Sequence, residues 1–113
     1  MTVVGDPTRL RQLVTILTDN AIRLSPTGGR VAVAVGTDRG RARMTVDDEG
    51  PGIALEDRDR VFERFWRAPG APEGGSGLGL SIAKWIVDRH DGQIAAEASA
   101  AGGARFVVSL PAS

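Results

Sequence analysis

The chain has 113 residues, of which 42% are hydrophobic and 25% charged, as expected for one globular domain over residues 1–113. Its 14 Lys and Arg residues balance 14 Asp and Glu residues, so no net charge favours a nucleic acid or an anionic membrane as a partner. The sequence contains no cysteine, which excludes disulfides and thiolate metal sites, and no apolar run is long enough to span a membrane.

The first predicted element is a long amphipathic helix over residues 7 to about 24. Asp6 is a good N-cap, and Pro7 suits the first helical turn. Apolar residues recur at helical spacing at Leu10, Leu13, Val14, Leu17, Ala21 and Leu24.

Asn20 lies on the edge of this apolar stripe, about 60° from its centre, with Ile16 and Arg23 on the same flank. An amide half-turned into the core beside an arginine is able to hold a cation and the phosphates that the cation bridges. The alternative is a boundary asparagine that bonds a neighbouring loop.

An antiparallel hairpin is predicted next, with its turn at residues 37–41. Val31, Val33 and Val35 alternate with smaller residues, and Met44 and Val46 alternate with polar ones.

Asp48 shares the parity of Met44 and Val46, so its carboxylate is predicted to point to the buried side and to need a donor there. The amine of adenine is one possible donor, and Gly50 and Gly52 would leave room for a flat base. The alternative is an acidic turn in which Asp48 accepts from nearby backbone N–H groups.

Residues 55–65 predict a shorter second helix from Leu55, Val61, Phe62 and Phe65. The stretch FERFWR at 62–67 would anchor the core or a lid. It leads into a glycine- and proline-rich segment that predicts a flexible loop inside the domain.

The sequence GGSGLGLS at 74–81 has the glycine and serine spacing of a mononucleotide P-loop, but Leu80 stands where that loop needs lysine. A third helix is predicted directly afterwards from Leu78, Ile82, Trp85 and Ile86, and it ends at Gly92. A helix N-terminus holds phosphate through its unpaired N–H groups without lysine, so a phosphate site and a plain flexible turn both stay open.

A last strand pair is predicted over Gln93–Ala98 and Arg105–Leu110. The elements together predict an α+β two-layer sandwich, with a mixed, mostly antiparallel sheet covered on one face by three helices. The only histidine, His90, falls at the end of the third helix, where a structural interaction with the helix dipole is expected.

Taken in order, four stretches resemble the ATP-binding catalytic domain of bacterial sensor histidine kinases. That domain has the Bergerat-type fold shared with gyrase, a heat-shock chaperone and mismatch-repair ATPases. TDNAIRLSP resembles the N box, DDEGPGI the first glycine box, FERFWR the F box and GGSGLGL the second glycine box. The resemblance covers nearly the whole chain and implies an ATP lid at about residues 66–77.

The resemblance implies a role for each matching residue. Asn20 would ligate a Mg²⁺ ion that bridges the phosphates, and Arg23 would face the same phosphates. Arg67 would reach toward the γ-phosphate and act in catalysis with Asn20, while Asp48 would accept from the adenine amine. The other cofactor-binding positions would be Gly50, Gly52, Ile53, Gly75, Gly77, Leu78, Gly79 and Leu80.

The implied function is that of a histidine kinase catalytic domain in two-component signalling. The family reaction transfers the γ-phosphate to a histidine on a separate dimerisation domain, absent from this chain, and from there to a response-regulator aspartate. Alone, the chain would not phosphorylate itself. It would work in the cytoplasm as part of a membrane-anchored sensor, with no nucleic acid or direct membrane contact.

Three departures from the family pattern are visible. Ile16 stands where the family usually has asparagine, Ala104 stands where a hydroxyl residue usually ends the third glycine box, and only Val3 and Val4 precede the GDP sequence in place of a strand. A degenerate nucleotide-binding regulatory module or an anti-sigma-factor-type serine kinase is therefore the alternative. A pure ATPase is disfavoured, because its general-base glutamate would be expected at Ile16.

Overall fold

The computed structural model of the chain describes residues 2–66, 78–100 and 102–112. The two α-helices are α1 (Pro7–Leu24) and α2 (Gly79–Arg89). The four strands are β1 (Ala32–Asp38), β2 (Arg41–Asp47), β3 (Gln93–Ala98) and β4 (Ala104–Pro111). In these described ranges, neither helix is sufficiently long and apolar to cross a membrane.

The start of α1 follows the predicted cap. The Asp6 carboxylate accepts hydrogen bonds from the N–H groups of Thr8 and Arg9, at 2.9 and 3.3 Å, and Pro7 occupies the first turn. Both bonds satisfy donors that the helix itself leaves unpaired. The predicted bounds of this helix are confirmed.

The four strands form one sheet in the order β1-β2-β4-β3. All three pairings between the described strands are antiparallel, so the predicted hairpin and the final strand pair are confirmed, and no parallel pairing is found among them. In this order the end of β2 lies beside the start of β4, with Asp47 opposite Arg105.

The core lies between one face of the sheet and the two helices. Alternate residues of β2, β4 and β3 meet the apolar stripes of both helices in one cluster, which includes Leu13, Leu17, Ala21, Val46, Ala83, Ile86, Val87, Ile94, Phe106 and Val108. The helices pack on β2 and β3, and β1 is exposed along its length. Val33 and Val35 therefore stay 48% and 79% exposed although their alternation correctly predicted the strand.

The predicted middle helix is wrong. Residues 55–65 form two single 3₁₀ turns, Leu55–Asp57 and Arg60–Phe62, so the described residues place two α-helices on the sheet and not three. Leu55 is 74% exposed and Phe65 has a φ of 65°, which ends any regular helix. Phe62 does reach the core, where its ring meets that of Phe106 edge to face at 6.1 Å.

His90 joins the end of α2 to the start of α1. Its Nδ1 atom lies 2.8 Å from the carbonyl oxygen of Ile86, and its Nε2 atom accepts the Asp6 N–H at 3.1 Å. A neutral ring with the proton on Nδ1 satisfies both bonds. Gly5 allows this contact, because a Cβ atom there would lie 2.4 Å from the imidazole. The structural role expected for His90 is thus a bond between two helix ends.

We expect His90→Ala to lower the free energy of unfolding by about 1–3 kcal/mol, since two hydrogen bonds are lost. His90→Asn should cost less, because its amide N–H₂ group can replace Nδ1 as the donor to Ile86 while the acceptor for Asp6 is lost. Urea denaturation of the two variants checks this order. Equal losses would mean that the bond to the Ile86 carbonyl oxygen contributes nothing.

Candidate functional site

Three residues, each one turn after the last on α1, connect the two glycine-containing regions of the predicted site. Ile16 reaches the start of α2, since its Cγ2 atom lies 3.5 Å from the position that a Cβ on Gly79 would take. The carbonyl oxygen of Leu24 lies 2.6 Å from the position of a Cβ on Gly50. Asn20 lies midway along this row. Eight helical residues span about 12 Å, of the order of the distance from the base to the outer phosphates of a nucleotide.

Asn20 is buried, with 7% of its surface exposed. Arg23 Nη2 donates to its Oδ1 atom at 2.9 Å. A guanidinium has only donors, so the amide must turn its oxygen toward Arg23 and its nitrogen away. Asn20 Nδ2 has no hydrogen-bond partner among the described residues. The site therefore contains a buried donor that is available to a ligand.

Asp48 is 2% exposed, which confirms that it points into the core side of the sheet. Its Oδ1 atom accepts hydrogen bonds from the N–H groups of Gly50 and Ala104, at 2.9 and 3.0 Å. Its Oδ2 atom is buried and has no partner within the described parts of the chain. Leaving an acceptor buried and unpaired costs free energy, so this oxygen is the strongest sign of a missing donor.

The glycines after Asp48 are required by close packing of the main chain. A Cβ on Gly50 would meet the Leu24 carbonyl oxygen, and Gly52 has a φ of 77° with the Gly102 carbonyl oxygen 3.0 Å from its Cβ position. Ile53 is partly buried and packs against the core. Space for a base beside Gly50 and Gly52 stays a prediction.

The opposite end of the site is the N-terminus of α2, which begins at Gly79 after Leu78. The side chain of its N-cap residue, Leu78, is apolar and makes no capping hydrogen bond. An α-helix cannot satisfy its first N–H groups internally, and its dipole favours an anion there. Leu80 packs its side chain against the core, so only its main chain is suited to face a phosphate.

Three predicted site residues, Arg67, Gly75 and Gly77, lie outside the described residues, as does the predicted lid after Trp66. Of the aromatic residues before it, Phe62 and Trp66 pack against the core. Phe65 is 62% exposed, and the Arg64 guanidinium lies 5.4 Å from its ring centre. The predicted role of these aromatic residues as core anchors is therefore confirmed for Phe62 and Trp66, whereas Phe65 lies on the surface.

Sequence reasoning missed the turn between β3 and β4. Ser99 donates through its hydroxyl to the main-chain oxygen of Asp48 at 3.1 Å, in a buried position. Ala104, noted in the sequence only for its missing hydroxyl, contributes its main-chain N–H to Asp48. The Gly102–Gly103 pair signals a tight turn here. Nothing in the sequence signals Ser99.

Charge at this edge of the sheet is divided between its two faces. Asp47, whose side chain alternates with that of Asp48, forms a two-bond ion pair with Arg105 at 2.7 and 2.8 Å. The hydrogen bond and the charge of Asp47 raise the pKa of Arg105 above its ordinary value, so the guanidinium stays charged. Asp47 therefore has its own partner, while Asp48 faces inward.

The family model for histidine kinase-, DNA gyrase B- and HSP90-like ATPases matches residues 5–113. The chain belongs to this family. The signal transduction histidine-protein kinase BaeS of Escherichia coli K12 is 40% identical over 114 residues, which cover 98% of this chain and 24% of BaeS. SenX3 of Mycobacterium tuberculosis H37Rv is 42% identical over 113 residues, covering 97% and 28%. The chain thus spans about a quarter of the length of these relatives.

Solved structures of histidine kinases share the fold. The mycobacterial sensor histidine kinase MprB matches with a TM-score of 0.90 and 40% identity, over 97% of this chain and 76% of that one. Full-length ShkA in complex with AMPPNP matches with a TM-score of 0.82 and 30% identity, over 98% and 23%. The predicted α+β fold and the resemblance to histidine kinase ATP-binding domains are confirmed, and these relatives do not favour the alternative functions.

Proposed function

We propose that the chain binds Mg–ATP and supplies the γ-phosphate that is transferred to a histidine on a separate dimerisation domain. The observation that carries this proposal is the buried, unpartnered Oδ2 atom of Asp48. The exocyclic amine of adenine would supply the missing donor. Guanine would present a carbonyl oxygen at the same position, with no proton between the two acceptors, so adenine is favoured.

The phosphate chain would run along α1 from Asp48 toward the start of α2. The row from Leu24 through Asn20 to Ile16 spans this path and ends beside Gly79. Asn20 Nδ2 and the Arg23 guanidinium would donate to phosphate oxygens, as would the first N–H groups of α2. The complex of ShkA with AMPPNP supports ATP as the nucleotide.

The remaining assignments rest on the family resemblance. Gly50, Gly52 and Ile53 would line the adenine pocket. Gly75, Gly77, Leu78, Gly79 and Leu80 would surround the phosphate chain, and Arg67 would approach the γ-phosphate.

A magnesium ion fits the donor set if it arrives with the phosphates. Mg²⁺ is usually held by one or two protein oxygens together with substrate phosphates and water. Asn20 Oδ1 uses one lone pair for Arg23 and has a second for a metal. No group of three acidic, histidine or cysteine residues that could form a cage occurs in the parts of the chain that the structure describes. When bound, the ion would offset the charge that builds on the phosphates during transfer.

The phosphate acceptor would lie on another domain. Both ring nitrogens of His90 are engaged in hydrogen bonds, and His90 follows the last residue of α2. The 11 residues of that helix put it about 16 Å from the phosphate end. The partners would be the dimerisation domain of the parent kinase and then a response regulator, both in the cytoplasm, with a membrane-anchored sensor as the whole protein.

We expect Asp48→Asn to weaken ATP binding by about 1.5–3 kcal/mol, as measured by calorimetry with Mg²⁺. The asparagine oxygen would keep the bonds from Gly50 and Ala104, and its N–H₂ group would then face the adenine amine donor to donor. Asp47→Asn is the matched control, because it removes the ion pair with Arg105 and should leave ATP affinity unchanged. Unaltered ATP affinity in Asp48→Asn would remove the adenine assignment.

The isolated chain should not become labelled by radioactive ATP, because transfer needs an acceptor in line with the γ-phosphate. Adding the dimerisation domain of its parent kinase should restore transfer, with the label on that domain. Label on His90 in the isolated chain would contradict the proposal.

Ile16→Asn should strengthen Mg–ATP binding or speed transfer by about 0.5–1.5 kcal/mol, through one hydrogen bond near the phosphates. The reason is the contact of Ile16 with the start of α2, one turn from Asn20. Val14→Asn is the matched control, since Val14 is 40% exposed on the same helix. A lower melting temperature with no change in affinity or transfer would show that Ile16 serves only the core.

A further inference from the structure

Asp48 is fixed by four hydrogen bonds to described residues. Its N–H donates to the Ala104 carbonyl oxygen at 2.9 Å, and its Oδ1 atom accepts from Gly50 and Ala104. Its carbonyl oxygen accepts from the Ser99 hydroxyl at 3.1 Å. In three of these bonds the partner residue contributes a main-chain N–H or carbonyl group. The Ser99 bond alone depends on a side chain of the partner.

Ser99 is itself held in place by the turn that it begins. Its N–H donates to the Gly103 carbonyl oxygen at 2.9 Å, and its carbonyl oxygen accepts from Gly102 at 3.1 Å. Its surface is 7% exposed. Gly103 lies so close to Asp48 that a Cβ atom there would come within 2.6 Å of Oδ1. The turn therefore presses against Asp48 and directs one buried hydroxyl at its carbonyl oxygen.

We propose that Ser99 is a positioning residue for base recognition, acting through Asp48. The inference rests on the proposed adenine contact. The Ser99 hydroxyl donates to the carbonyl oxygen of Asp48 and so fixes the peptide group between Asp48 and Glu49. The next peptide group carries the N–H of Gly50, which donates to Oδ1 of Asp48. Fixing Oδ1 from both sides also fixes the direction of Oδ2. Ser99 thereby keeps the free carboxylate oxygen aimed at the base.

This role differs measurably from a merely structural one. If Ser99 acts through Oδ2 of Asp48, its loss must affect only nucleotides that carry a donor at position 6 of the purine. If Ser99 only stabilises the turn, its loss must affect all nucleotides alike. Purine riboside triphosphate, which has hydrogen in place of the 6-amino group of ATP, separates the two cases.

The experiment measures the affinity of Ser99→Ala for ATP and for purine riboside triphosphate, by calorimetry with Mg²⁺. We expect ATP affinity to fall about 3- to 10-fold while affinity for the analogue changes by less than about twofold. In an Asp48→Asn background, Ser99→Ala should cause no further loss of ATP affinity. Ser99→Cys keeps an unbranched, slightly larger side chain with a weaker donor, and it gives the same comparison if the alanine variant does not fold.

Ser109→Ala is the matched control, because Ser109 accepts a hydrogen bond from Arg41 toward the other end of β4. It should leave the ratio of the two affinities unchanged. Equal losses for both nucleotides, or a full additional loss in the Asp48→Asn background, would overturn the role of Ser99. Absence of ATP binding by the unsubstituted chain would instead overturn the proposed function.

Discussion

The burial of the Asp48 carboxylate at the end of β2 is the constraint on which this end of the domain depends. A carboxylate that is 2% exposed needs donors close by. One comes from Gly50, two residues later, and the other from Ala104 at the start of β4. The second donor is in reach only because β2 pairs with β4, with Asp47 opposite Arg105. The sheet order therefore builds the site as well as the core.

Local signals in the sequence correctly predict those helices and strands whose regularly spaced apolar residues do become buried. The N-cap and periodicity of α1 predict its bounds, and parity along β2 predicts the burial of Asp48. The same periodicity fails over residues 55–65. The spacing of apolar residues does not predict which of them become buried. Here Leu55 stays 74% exposed, while Val61 and Phe62 pack into the core. Two short 3₁₀ turns take the place of the predicted helix and still bring Val61 and Phe62 to the core.

Contacts between distant parts of the chain are beyond sequence reasoning of this kind. Ser99 and Asp48 are separated by 51 positions, and their contact follows from the way the β3–β4 turn folds over the end of β2. A serine in a small-residue turn has no pattern of its own. The motif comparison drew attention to the side chain at position 104, which lacks a hydroxyl. In the structure it is the main-chain N–H of Ala104 that donates to Asp48. The missed residues are those whose role depends on register between strands.

The two buried side-chain atoms without a partner, among the residues that the structure describes, are Asn20 Nδ2 and Asp48 Oδ2. Asn20 Nδ2 is a donor and needs an acceptor, whereas Asp48 Oδ2 is an acceptor and needs a donor. They would be satisfied together by a ligand that carries a hydrogen-bond donor at one end and an anion at the other. An adenine nucleotide has this polarity. Because unpaired buried groups destabilise the ligand-free fold, a ligand that satisfies both atoms would bind the folded state and stabilise it. Both of these unpaired groups therefore lie in the candidate site, where a bound ligand can remove the destabilisation that they cause.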